Sequence, residues 1–477
     1  MNITLVHPAG SNWVPGQTDF TPIANRMAPL GLLSMAAWLR ERHHRVHVYD
    51  CLAWDRPRPQ PAVVRDILDR QPDLVGFSAT TSGFLDGYGL AETIKQQHPE
   101  IKTVFGGVHV SAIGAPLLKA FPAIDFLCMG EGEATLAELA DGDPPADITG
   151  LIWRDDGRVV TNPRRPLLPD LDQMPFPAYD LLRGFPRCYH LPLFSYIQRP
   201  GATMVTSRGC PYKCSYCDRS VFKQGYRYNS AAYIYAHMRY LRNRFGVRHL
   251  NIYDDLFTAH RRRITELCTL LGKRPLGVQF NCSVRVGHAD GDLLRMLKTA
   301  GCLQVSLGIE TGDETLMDRH KPGVHLEGVK ETIRRIQAHG LRAKGLFMMG
   351  LPGETEASIR RTSDFVMSLG LDDMNMSKFT PFHGAPVWQT LQEHGTFRED
   401  WRQMNCLNFV FVPRAIASRE ALDELYNQHV KRFYSSPDWR RKFRRRMWGH
   451  RWSLWHVMAH LPGFLAAKRN FEPQEDH

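Results

Sequence analysis

Nowhere in this sequence of 477 residues does an apolar run approach the ~20 residues of a membrane-spanning helix. The opening Met1-Asn2-Ile3-Thr4-Leu5-Val6 carries no basic segment and no small-residue cleavage site. It reads as a β-strand rather than a secretion signal, so a cytoplasmic location is expected. Cysteine is thinly spread: of ten residues only Cys210, Cys214 and Cys217 cluster. Without a secreted context a disulfide framework is not expected. No second Cys or His pair follows the cluster nearby, which argues against a four-ligand zinc site. The remaining composition, 43% hydrophobic and 23% charged, is that of an ordinary globular chain with room for about three domains. Much of the net charge of +11 sits in the C-terminal tail. A basic surface of that kind suits nucleic acid, anionic lipid or an acidic substrate.

The three cysteines organise the reading. They lie in Thr206-Ser207-Arg208-Gly209-Cys210-Pro211-Tyr212-Lys213-Cys214-Ser215-Tyr216-Cys217, after the strand-like Thr203-Met204-Val205-Thr206. Gly209 and Pro211 mark a tight loop, which can turn three thiolates toward one point. Three thiolates suit three corners of a cubane iron–sulfur cluster and leave the fourth iron without a protein ligand. The C-x-x-x-C-x-x-C spacing, with Tyr216 before the last Cys, resembles the signature of the radical S-adenosylmethionine (SAM) superfamily. The resemblance implies a [4Fe-4S] cluster on Cys210, Cys214 and Cys217 whose open iron chelates SAM. Reductive cleavage of SAM would then yield a 5′-deoxyadenosyl radical that abstracts a substrate hydrogen.

Residues 1–140 alternate strands and helices. Strands are expected at Ile3–His7, Arg45–Tyr49, Leu74–Ser78, Thr103–Phe105 and Ala123–Cys128, and helices at Pro29–Arg42 and Gly87–His98. This βαβ rhythm predicts a doubly wound, Rossmann-like parallel sheet that binds its ligand beyond the C-terminal strand ends. There stand Gly106-Gly107 and Gly130-Glu131-Gly132-Glu133, which alone are equally ordinary turn residues. Together with Asp73-Leu74-Val75-Gly76-Phe77-Ser78 they resemble the cobalamin-binding domain that precedes many radical SAM cores. The resemblance implies that Ser78, Thr80, Thr81, Gly106, Gly107 and Gly130 line a corrinoid and its nucleotide tail. The first loop lacks the D-x-H-x-x-G motif of classical cobalamin domains and offers His7, Gly10, Trp13 and Gly16 instead. His7 and His109 are the candidate cobalt ligands, against the simpler reading of each as a hydrogen-bonding loop residue.

Residues 141–200 are rich in proline and read as a linker, with a hairpin of Leu151–Trp153 and Arg158–Val160 about Asp155-Asp156-Gly157. From 201 to 390 the βα rhythm returns six times, predicting a partial (β/α)6 TIM barrel with its chemistry at the C-terminal strand ends. Those ends carry Asp254-Asp255, Ser283 and Arg285, Glu310, Gly350-Leu351-Pro352-Gly353-Glu354-Thr355, and His383. An acid pair at a strand end also serves as a helix cap, Glu310 also reads as a surface acid, and His383 is a candidate proton donor. The family resemblance implies instead that Asp254 and Asp255 lie near the SAM amino group. It places Ser283 and Arg285 by SAM or substrate, and implies backbone contacts from Gly350, Pro352 and Gly353 to the adenine. Glu310 is suited to accept from a ribose hydroxyl.

Residues 391–477 form a helical basic region. Arg440-Arg441-Lys442-Phe443-Arg444-Arg445-Arg446-Met447-Trp448 and Arg451-Trp452-Ser453-Leu454-Trp455 interleave cations with tryptophan. That pattern suits a membrane surface, phosphates, or a solvated helix that caps the barrel. Phe409-Val410-Phe411-Val412-Pro413, with Leu425-Tyr426 and Arg432-Phe433-Tyr434, resembles the same region of anaerobic magnesium-protoporphyrin monomethyl ester cyclases.

The resemblances imply a cobalamin-dependent radical SAM enzyme. The first expectation for its reaction is methylation of an unactivated carbon, as in class B radical SAM methyltransferases. The second is oxidative cyclisation or hydroxylation. The third, tRNA modification, is disfavoured because Cys51 and Cys128 are too few for a second cluster in the first domain. The expected partners are a small, hydrophobic substrate, an external electron donor such as flavodoxin or ferredoxin, and a membrane surface touched by the tail. Nucleic acid is not expected.

Overall fold

The computed structural model describes residues 1–10, 25–54, 58–223, 225–463 and 465. Trp13 and Gly16 of the first loop lie outside this set, as do residues 466–477. Strands β1 (Asn2–His7), β2 (Arg45–Asp50), β3 (Leu74–Ser78), β4 (Lys102–Gly106) and β5 (Phe126–Cys128) run parallel in the order β2-β1-β3-β4-β5. Alternate side chains divide between two cores, Ile3 and Leu5 on one face and Val6 on the other. The strand order reverses between β1 and β3, which places the ligand crevice at their C-terminal ends. The helix after β3 runs Thr81–Gln97, starting at Thr81 rather than Gly87. Its glycine-rich first turns have poor intrinsic propensity, but buried Phe84 anchors them to the sheet.

The predicted hairpin forms as β6 (Leu151–Asp155) and β7 (Arg158–Thr161), and it pairs antiparallel onto β5. The first sheet therefore continues past residue 140. The rest of the proline-rich stretch is packed rather than loose. Tyr179 is fully buried and donates to the Thr203 carbonyl at 3.0 Å, and Tyr189 donates to Asp50 at 2.9 Å. With Ala178 and Leu182 these rings join the helix Leu30–Glu41 to the next sheet in one hydrophobic core.

That sheet comprises β8 (Gly201–Met204), β11 (His249–Ile252), β12 (Gln279–Val284), β13 (Cys302–Glu310), β14 (Arg342–Met349) and β15 (Asp373–Lys378). All six are parallel, in the order β15-β14-β13-β12-β11-β8. The connecting helices start where the sequence places caps: Ser230 accepts from the Tyr233 amide, Asp290 from Leu293, and Thr355 and Ser358 form a capping box. The sheet stays open as a half-barrel. A short antiparallel pair, β9 (Ser207–Arg208) and β10 (Arg227–Tyr228), frames the cysteine loop. Another, β16 (Gly395–Phe397) and β17 (Phe411–Pro413), precedes the helices Arg419–Ser435, Pro437–Met447 and Arg451–Ala459.

These last helices close the N-terminal end of the second sheet. Arg342, at the start of β14, donates to the Phe194 carbonyl at 2.8 Å and lies 3.4 Å from His450. Arg446 donates to the Asp372 carbonyl, just ahead of β15, at 2.7 Å. The Arg199 guanidinium, just ahead of β8, lies 3.7 Å from the Trp452 ring centre. No helix among the described residues is long and apolar enough to cross a membrane.

Candidate active site between the two sheets

The cysteine loop leaves β9 and returns on β10, so both ends are pinned. It reaches across the C-terminal ends of the other strands. Arg285, after β12, lays its guanidinium 3.7 Å from the Tyr212 ring centre and donates to the Pro322 carbonyl. His320 sits 2.7 Å from the Ser215 hydroxyl through Nδ1 and 2.8 Å from the Pro352 carbonyl through Nε2. The Val387 amide donates to the Ser215 carbonyl at 2.9 Å, and the Gly384 amide to Asp218 at 3.1 Å. Cys210 and Cys214 are half-buried, Cys217 is exposed, and all three are free thiols. Among the described residues no three His, Cys, Asp or Glu side chains are placed to hold a single metal ion. A cubane takes one thiolate per iron, so its ligands stand farther apart than those of one ion.

The acid pair divides its work. Asp254 is buried and accepts from the Thr206 amide and hydroxyl, both at 2.5 Å, and from the Ser207 amide at 3.2 Å. Buried Arg263 stands 3.5 Å from it. Asp255 lines a cavity, where restricted access to bulk water and the neighbouring Asp254 charge raise its carboxyl. Ser283 is half-buried near the end of β12. Glu310 ends β13 at a register shift with φ of +70°, a conformation a non-glycine residue adopts only when its surroundings hold it. Lys321 donates to it at 2.8 Å. Burial raises the Tyr216 phenol, with Glu310 and Cys214 beside it.

In the Gly350–Thr355 turn, Gly350 has φ of +93°, and a Cβ there would press on Phe409 at 3.0 Å. The buried Glu354 carboxyl group accepts through one oxygen from the Gly350 and Leu351 amides at 2.5 and 3.2 Å. Burial pushes its pKa up to about 8. Pro352 is buried and Gly353 exposed.

On the first sheet Ser78, Gly106, Gly107 and Gly130 gather at the C-terminal ends of β3, β4 and β5 and line one cavity of about 320 Å³. It reaches down past Leu5, Gly76 and Cys128 toward the helices Leu30–Glu41 and Glu133–Asp141, and out to Val205, Arg208, Phe222, Tyr253 and Asp255. Gly107 has φ of +103°, and a Cβ would meet the Ala79 carbonyl at 2.8 Å. A slot between sheet and helices with glycine at its rim fits a corrinoid whose tail enters the domain. Thr80 and Thr81 do not line it: Thr80 is exposed, and Thr81 is buried 3.2 Å from His109. His7 and His109 stay outside the lining too, His7 being 2.9 Å from Asp50. His383 lies 2.8 Å from Glu399, with its ring over Trp388.

Five residues in this region were given no role by the sequence. Arg208 donates to Glu131 and to Glu133, each at 2.6 Å, and Arg227 donates to Glu131 at 2.8 Å. Burial opposes the Arg208 charge, but the two carboxylates outweigh it and raise its pKa. Arg227 and Arg208 likewise hold Glu131 low against burial. The only signal was the pair of strings G-E-G-E and S-R-G-C, whose opposite charges the fold brings together. His237, buried in the cavity wall with an unpartnered Nε2, had no sequence signal at all.

Residues 204–366 match the family model for the radical SAM superfamily, and residues 17–140 that for the B12 binding domain. The chain is 29% identical to an uncharacterized methyltransferase of Pyrococcus horikoshii, over 86% of this chain and 88% of that one. It is 27% identical to the anaerobic magnesium-protoporphyrin IX monomethyl ester cyclase of Rubrivivax gelatinosus, over 91% and 77%. Its fold resembles that of the radical SAM methyltransferase TsrM from Kitasatospora setae, solved with cobalamin and a [4Fe-4S] cluster. The TM-score is 0.68 at 19% identity, covering 89% of this chain and 91% of that one. With a B12-binding domain over residues 17–140 followed by a radical SAM domain over residues 204–366, this chain has the domain make-up of a cobalamin-dependent radical SAM enzyme, whose cofactors are SAM, a [4Fe-4S] cluster and cobalamin.

Proposed function

We propose that the protein is a C-methyltransferase that acts on an unactivated carbon of a small, apolar molecule. One observation carries the reading: a single cavity is walled by the glycine rim of the first sheet and by Asp255 and Tyr253 at the mouth of the second. Two cofactors held at its two ends would face one substrate. Val221 and Phe222 give the mouth an apolar wall. When bound, the cluster with SAM supplies a hydrogen-abstracting radical and the corrinoid supplies a methyl group. The chain's part is to hold them. Cys210, Cys214 and Cys217 provide three thiolates on a loop tied down by His320 and Arg285. Asp255 accepts from the SAM amino group, while Asp254 fixes the strand end that aims it. Ser283, Glu310, Tyr216 and the Gly350-Leu351-Pro352-Gly353 backbone frame the nucleoside. Ser78, Gly106, Gly107 and Gly130 let the corrin approach the sheet. The electron comes from an external donor of the flavodoxin or ferredoxin class.

The test uses anaerobically reconstituted protein with cobalamin, dithionite and SAM labelled in its methyl group. Formation of 5′-deoxyadenosine and S-adenosylhomocysteine, with label in the retained corrinoid, is the expected result. Deoxyadenosine with a corrinoid that never takes up label would overturn methyl transfer. It would favour oxidative cyclisation, the reading supported by the Rubrivivax relative.

A further inference from the structure

We infer that the C-terminal helices dock the protein on an anionic lipid bilayer through the face that carries Trp448, Trp455, Met458, Leu461 and Leu465. These are large apolar side chains left in water: Trp448 is 77% exposed, Met458 67% and Trp455 58%. Trp455 and Met458 stand three residues apart on the helix Arg451–Ala459, Trp448 in the 3-10 turn just before it, and Leu461 and Leu465 just beyond its end. The opposite side of the same helices is occupied. Phe443 packs on Phe194 at 4.9 Å, Arg199 stacks on Trp452, and Ser453 accepts from the Phe194 amide at 3.2 Å. The exposed stripe is therefore not a face left over from poor packing.

Charge chooses the partner. Between Pro437 and Leu465 the sequence has seven Lys and Arg against one acid, Asp438. Asp438 is shared by Arg441 and Lys442, at 2.6 and 2.9 Å. Arg440, Arg444, Arg445 and Arg451 are exposed and make no ion pair among the described residues. Indole rings settle at the headgroup level, arginines reach past them to lipid phosphates, and Met and Leu enter the acyl boundary. A second copy related by a two-fold axis would bring these cations against one another. Nucleic acid offers phosphates but no place for Met458, Leu461 and Leu465, which do not stack on bases as aromatic rings do.

The docking face lies at the end of the second sheet where Arg342 and Arg446 hold the tail, whereas the cysteine loop and cavity lie at the other end. The bilayer would anchor the protein and leave the cavity mouth facing water. Membrane contact here is not a route by which lipid enters the site.

The experiment takes the full chain with cofactors and measures sedimentation with vesicles of phosphatidylglycerol and phosphatidylcholine, or of phosphatidylcholine alone. The double variants Trp448→Ser/Trp455→Ser and Arg444→Gln/Arg445→Gln are run beside the parent, with corrinoid content and thermal unfolding as folding controls. Expected are binding that needs the anionic lipid, an affinity about tenfold or more lower in the arginine variant, and tryptophan quenching by brominated lipid that the tryptophan variant loses. The inference is overturned by absence of binding to anionic vesicles, or by binding that neither variant changes. It is also overturned if the tryptophan variant abolishes a concentration-dependent dimer, or the arginine variant a complex with RNA, while vesicle binding is nil.

Discussion

The Ser215 hydroxyl and His320 Nδ1 stand 2.7 Å apart, and the same imidazole donates through Nε2 to the Pro352 carbonyl. One ring thus ties the cysteine loop to the Gly350–Thr355 turn, and the hydrogen bond to Pro352 leaves Nδ1 as the acceptor of the Ser215 proton. A partner that orients a ligand loop typically affects metal affinity by roughly 10- to 100-fold. His320→Ala is expected to weaken retention of iron and sulfide in a chelator challenge by that order, with the apoprotein still folded by circular dichroism.

Replacement of Cys210, Cys214 or Cys217 by Ala removes one thiolate from the proposed set. Each variant is expected to lose the iron–sulfur absorbance and to form 5′-deoxyadenosine only at background. Bound corrinoid should stay at the parental level, because those residues lie outside the first sheet. Full iron content in any one variant would strike that cysteine from the set.

The neighbours Asp254 and Asp255 are expected to fail in different ways. Asp254→Ala leaves Arg263 charged and buried, which costs about 3–5 kcal/mol, so the melting temperature should drop sharply. Asp255→Asn keeps the fold and loses a charged acceptor at the cavity wall. Its SAM affinity should fall roughly tenfold, measured by equilibrium dialysis of the reconstituted protein.

Gly107→Val forces a side chain into a left-handed backbone and against the Ala79 carbonyl. The strain is about 1–3 kcal/mol, and the added methyls occupy the rim of the cavity. The variant is expected to lose bound cobalamin in its visible spectrum while its cluster reconstitutes normally.

The carboxyl of Glu354, raised to about 8 by burial from an ordinary 4.5, binds its proton more tightly in the fold than in the unfolded chain. The stability this contributes is full below about 4.5 and is lost as pH rises through about 8. Glu354→Gln, which keeps an acceptor for the two amides, should flatten that part of the profile. Urea unfolding of apoprotein and variant across this range is the check.

Much of the fold was legible because its signals are local. The strands of both sheets are short β-branched or apolar runs, and the helix starts carry Ser230, Asp290 and Thr355 where caps belong. The start of the helix at Thr81 was hidden, since glycines in its first turns argue against helix until Phe84 has a sheet to pack on. The packing of the proline-rich stretch was hidden too, because Tyr179 and Tyr189 find their partners at Thr203 and Asp50, contacts that no periodicity reports. In the site, the motifs announced which loops matter but not the division of labour. Two adjacent aspartates look alike in sequence, yet one faces Arg263 and the other the cavity. The partnership of Arg208 with Glu131 and Glu133 joins positions more than seventy residues apart and has no local trace.

That partnership bears on how such chains are recombined. The G-E-G-E loop follows the last parallel strand of the first sheet and the S-R-G-C strand belongs to the short antiparallel pair that frames the cysteine loop, and their charges are matched in largely buried positions. A corrinoid-binding half grafted from a relative onto this core would bring a loop with its own charge pattern against Arg208 and Arg227. The two halves are modules in sequence, but they are interchangeable only as a set that includes residues 131, 133, 208 and 227.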